Sequence, residues 1–119
     1  MNWRTILLWV LRVAVAALFA FAAYLKLTGS AMEVDVFEKV GLGQWFRYVT
    51  GLIELGGALA VLWPPFSVAG AAALLLVDIG AFIAQVSVLH EDWIHTVVIG
   101  AIICAVIYLQ SGRFAPDAR

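Results

Sequence analysis

The feature that most limits what this chain can fold into is a set of four long apolar runs, covering about residues 5–27, 46–63, 66–89 and 93–110. Each is close to the roughly 20 residues that a helix needs to cross a hydrocarbon core. Backbone inside lipid must satisfy its own hydrogen bonds, so runs of this length are expected to be helical. Alternating polarity over strand-length segments is absent, which argues against a barrel. Hydrophobic residues make up 65% of the 119 positions and charged residues 13%, against about half and a quarter in a soluble domain. A soluble fold this small could not bury so much apolar surface. The expectation is a single all-α domain over residues 1–119, a four-helix transmembrane bundle with a short interfacial helix between helices one and two.

The connections fit that plan. Trp3, Trp9, Trp45, Trp63 and Trp93 fall at or near expected ends, where indole rings favour the headgroup region. Pro64-Pro65 marks an abrupt turn, and His90-Glu91-Asp92 a short polar link. In the longer first connection Met32, Val36, Phe37 and Val40 are spaced for one helical face, with Glu33, Asp35, Glu38 and Lys39 mostly elsewhere. Gly41 and Gly43 are expected to end that helix. Arg4 and Ala20-Phe21-Ala22 resemble parts of a signal peptide, but Arg12 interrupts the run and its length exceeds a signal core, so it is read as a retained helix. Arg4, Arg113, Arg119 and the terminal amine outnumber Lys39 and Arg47 on the other side, which predicts N-in/C-in topology.

Inside the expected spans stand Arg12, Lys26, Glu54 and Asp78. An ionised group near mid-bilayer costs about 2.5–3.5 kcal/mol on insertion scales, so these four are expected to face one another. Arg12 and Lys26 are fourteen residues apart, within roughly 40° on one helix face. Depth along the helices pairs Lys26 with Glu54 and Arg12 with Asp78, the guanidinium donating to the carboxylate. Two readings stay open. One is a structural network that sets helix rotation and register; the other is a polar cavity for protons, a quinone head group or a small substrate.

Secondary candidates surround these. Gln85 lies two turns beyond Asp78 and extends its polar face. His90 and His95 could ligate haem or a metal, or be solvated boundary residues; without Cys or carboxylate partners at ligand spacing, no metal is expected. Cys104 is the single cysteine, which excludes an internal disulfide, a CxxC pair and a thiolate zinc site. It reads as a small buried hydrophobe. Gly51, Gly56, Gly57, Gly80 and Ala84 are expected at close helix contacts. A net charge of −1 points away from nucleic acid.

Arg12, Phe19 and Lys26-Leu27, then Phe37 and Gly41-Leu42, then Gly51-Leu-Ile-Glu54-Leu-Gly56-Gly57 together resemble the DoxX/DoxX-like family of small four-helix membrane proteins over roughly residues 8 to 110. Ala16 and Ala23 stand where that family often has glycine, and Gly43 where it often has proline; Asp78 has no fixed counterpart there. The resemblance implies a bundle in the bacterial inner membrane, associated with thiosulfate:quinone oxidoreduction and with assemblies for redox or oxidative-stress defence. It implies a redox-associated subunit with a quinone- or proton-linked polar pocket, whereas the lack of a catalytic constellation and of a soluble domain in the sequence favours a non-catalytic accessory subunit of a larger membrane complex. Either way the expected partners are lipid and other integral membrane proteins, with no resident cofactor beyond a bound quinone. A thiol–disulfide relay would need a thiol from elsewhere.

Overall fold

Asn2 opens the first helix by accepting a 2.9 Å hydrogen bond from the Thr5 amide, which satisfies one of the unpaired donors at a helix start. The computed structural model of the chain describes residues 2–90 and 92–114, the last four as backbone alone. The terminal amine, Glu91, the Arg113 side chain and Arg119 therefore lie outside the described residues. Helix α1 (Trp3–Thr28) ends at Gly29, whose φ of 73° closes the last turn; only glycine enters that left-handed region freely. Ser30 then caps the short helix α2 (Ala31–Val40), and Gly41, at φ 85°, ends it. Helix α3 (Gln44–Val61) stops before Pro64-Pro65, which form a single 3-10 turn (Pro64–Phe66).

Helix α4 (Ser67–Ala84) runs on into one wider π-helical turn, Gln85–Leu89, and His90 closes it with a left-handed backbone. Helix α5 (Ile94–Phe114) completes an all-helical chain with no strand among the described residues. The apolar runs thus became helices with ends displaced by a few residues. The third differs in kind, because its last turn is π rather than α.

Two stretches of 26 residues, Trp3–Thr28 and Pro64–Leu89, are long and apolar enough to cross a membrane; α5 offers a shorter apolar stretch, Ile94–Gln110. Four had been expected to qualify. Helix α3 carries Gln44, Arg47 and Glu54 within its 18 residues, which lowers its apolar character.

The long helices pack in a closed order, α1 on α3, α3 on α4, α4 on α5 and α5 back on α1. Helix α2 lies across one end, touching α1, α3 and the π turn. Each long helix turns one stripe inward at three- and four-residue spacing. On α1 the stripe is Leu8, Arg12, Val15, Ala16, Phe19 and Ala23. On α3 it is Arg47, Gly51, Glu54, Gly57, Ala58 and Val61. Leu74 and Ala71 of α4 and Ile103 and Val106 of α5 complete an apolar centre.

The closest crossing is between α3 and α4. A Cβ on Gly70 would come 2.9 Å from the Gly57 carbonyl oxygen and from the Val61 nitrogen, and one on Gly57 would meet Leu74 at 2.7 Å. Gly51 serves α1 in the same way, since its Cβ would lie 3.0 Å from Leu27 and 3.2 Å from Lys26 Cβ. Gly56 and Gly80, expected at such contacts, face open space instead. Small-residue spacing marks where a helix can be approached, and rotation about the axis decides which side is. Ala84 is half-buried beside the π turn. Phe37 is the buried residue of α2 and meets Phe46 edge to face, 5.9 Å between ring centres, whereas Met32 of the expected apolar face is exposed.

Candidate functional site

Charged side chains gather where α1 ends beneath α2. Gly51 lets α3 approach the last turns of α1, and Glu54, one turn further along the same stripe, then meets Lys26. The Lys26 ammonium lies 3.2 Å from Oε1 and 3.4 Å from Oε2 of Glu54, with hydrogen-bond geometry on Oε2 and charge attraction alone on Oε1. The same ammonium is 3.5 Å from Glu33 Oε2 on α2. Only 3% of the Glu54 side chain is exposed and 12% of each of the other two. One ammonium therefore serves two carboxylates from two different elements in a nearly dry site.

Arg47 is the fourth charge of this end. Its Nε donates to Gln44 Oε1 at 2.8 Å, and its Nη1 donates to the Lys26 backbone carbonyl. Its guanidinium also stacks 4.3 Å from the Tyr48 ring centre. A cation on the last carbonyls of α1 is favourably placed against that helix dipole. Gln44 donates in turn to the Val34 carbonyl at 3.0 Å, which ties α2 to α3. Two cations and two anions thus balance across α1, α2 and α3.

From the sequence Glu33 falls mostly off the apolar face of α2, and Arg47 bears on topology alone. Arg47 could have been recognised: it precedes Glu54 by seven residues, two turns along one face. Glu33 could not, because its partner depends on how α2 folds back.

The other expected rung is not formed. Arg12 is fully buried in the α1 stripe, and its guanidinium lies 4.6 Å over the ring of Trp9, a cation–π arrangement. Trp9, expected near a helix end, is therefore a partner for Arg12 one turn inside it. Asp78 is buried but directed toward α5: a Cβ on Gly100 would come 2.7 Å from its Oδ2. Depth alone had matched Asp78 to Arg12, but α4 has its packed neighbours in α3 and α5.

Gln85 heads the π turn, and its Oε1 is buried without a hydrogen-bond partner. His90 is exposed where that turn closes, and His95 is exposed in the first turn of α5. The described residues contain no group of three His, Cys, Asp or Glu placed to hold a metal ion. Cys104 is exposed rather than buried, because the buried stripe of α5 passes through Ile103 and Val106 and leaves it to one side. A shallow apolar groove of about 260 Å³ runs between α1 and α3, lined by Ala16, Ala17, Ala20 and Ala58 among others.

The sequence model of the DoxX-like family matches residues 10–109 of the chain. No curated protein and no solved structure matches it.

Proposed function

The chain belongs to the DoxX-like family, and on that premise we propose that it is a redox-associated integral membrane subunit working through the Lys26–Glu54–Glu33 cluster. In this reading α1, α3, α4 with its π turn, and α5 are four membrane spans. Helix α2 lies at the interface, and both termini face the cytoplasm across a bacterial inner membrane. The carrying observation is that Lys26 is shared between Glu54 of α3 and Glu33 of α2. Helix α2 is only ten residues long and is bounded by left-handed glycines, Gly29 and Gly41. A swing of α2 removes Glu33 from Lys26 while Glu54 stays as counter-ion, leaving ammonium N–H groups for an incoming acceptor.

The oxygen of a quinone carbonyl suits that donor: it is neutral, so the Lys26–Glu54 pair remains charge-balanced. Electrons then come from a partner protein, since one cysteine cannot run a thiol relay alone. The test is binding of a short-chain benzoquinone to the purified protein in lipid nanodiscs. Glu33→Gln weakens the competing contact and tightens binding, and Lys26→Met abolishes it. Equal affinity for all three proteins would refute the site.

A second reading, an accessory subunit of a larger membrane complex, has its own observation. Gly56 and Gly80 face open space, and glycine on an outer face lets a further helix approach closely. Isolation in mild detergent separates the two: a stable larger assembly, with no effect of quinone on the chain, favours the accessory role.

A further inference from the structure

We infer that Asp78 is an exchangeable proton-binding site inside the membrane, seated in a notch of α5 at Gly100. Asp78 lies well within the 26-residue apolar stretch Pro64–Leu89, eleven residues and about 16 Å from its Leu89 end. Its side chain is buried, at 7% exposure. A carboxylate at such depth is costly unless it is paired, ligated or protonated.

The neighbours decide among these. On α3, Glu54 is engaged with Lys26. On α1, Arg12 is stacked on Trp9. The π turn contributes Gln85, whose buried oxygen only accepts, and His90 beyond it is exposed. On α5, His95 is exposed in the first turn and forms neither a hydrogen bond nor an ion pair with Asp78 among the described residues. Among the described residues the ion pairs are Lys26 with Glu33 and Glu54, and Lys39 with Asp35, so Asp78 is in none.

Ligation by a larger ion is disfavoured by fit. The absent side chain of Gly100 makes a notch in α5, and Asp78 Oδ2 occupies it so closely that a single added carbon would sit 2.7 Å away. A proton fits there, and the described residues hold no set of three metal-binding groups. The protonated carboxyl can then donate to the α5 backbone, an interhelical hydrogen bond of the kind that joins membrane helices.

His95 precedes Gly100 by five residues, roughly 7.5 Å along the axis and about 140° around it, so it lies off the face that meets Asp78 and is exposed in the first turn of α5. Gln85 stands two turns from Asp78 on the same face of α4 and supplies a further acceptor on that side. Lys26 and the quinone reading play no part in this.

The experiment uses the full chain in liposomes treated with dicyclohexylcarbodiimide, which attacks protonated carboxyl groups in apolar surroundings. Peptide mass mapping is expected to find the adduct on Asp78 and not on Glu54, with labelling that falls as the pH is raised. This reading needs no variant to fold. Infrared spectroscopy after a pH jump then follows the carboxyl C=O stretch of Asp78, identified by its loss in Asp78→Asn. An unlabelled Asp78, or labelling that ignores pH, overturns the proposal. None of these outcomes depends on quinone binding, so failure here and failure at Lys26 are separable.

Discussion

Removing the Lys26–Glu54 pair one partner at a time, and then both together, tests whether the charge cluster is a single energetic unit. Glu54 is 3% exposed and Lys26 12%, so neither group regains much water when its partner is lost. Breaking a buried pair from one side costs about 3–5 kcal/mol. Glu54→Gln belongs at the low end, about 3 kcal/mol, because Glu33 at 3.5 Å still serves Lys26. Lys26→Met belongs at the high end, about 5 kcal/mol, because it leaves Glu33 and Glu54 facing the same dry space without their shared cation. The double variant leaves Glu33, 12% exposed, as the one carboxylate without Lys26, and is expected to cost well under the sum of the two single losses. The assay is unfolding in mixed micelles of increasing dodecyl sulfate fraction, followed by helical circular dichroism. Coupling below about 0.5 kcal/mol, the range of independent sites, would refute the claim that these side chains act together.

Further outcomes follow from the packing. Gly70→Ala meets backbone atoms 2.9 Å away on α3, which cannot swing aside, and is expected to cost about 1–3 kcal/mol in the same unfolding assay. Gly56→Ala and Gly80→Ala face open space and are expected to leave the isolated chain's stability unchanged; if a partner helix covers them, they weaken its co-purification instead. Arg47→Ala removes a charged hydrogen bond to the end of α1, a loss of about 1.5–3 kcal/mol, and Arg47→Lys restores little because the fork to Gln44 and the Lys26 carbonyl is lost. Cys104→Ser at an exposed position is expected to change stability by no more than about 0.5 kcal/mol, and a larger loss by thermal denaturation would put Cys104 in a packed contact.

What the residue order determined by itself was everything that depends on a local period. The apolar runs became helices because length and composition leave the backbone few alternatives, and Gly41 ended α2 because only glycine turns there without strain. The face shared by Arg12 and Lys26, and the turn-by-turn placing of Gly51 and Glu54, are likewise properties of one helix. Which side of a helix meets which neighbour is another matter. Residue type alone treats Gly56 and Gly57 as equals, yet Gly57 touches α4 while Gly56 faces outward. Depth alone assigned Asp78 to Arg12, and only the packing order of the helices turned it to Gly100. Glu33 reached Lys26 because α2 folds back over α1, a direction set by two loops and by Phe37 against Phe46 rather than by any repeat in the sequence. A helix fixes angle and height along its own axis, and the choice of partner comes from the simultaneous packing of several axes, which no single stretch of chain contains.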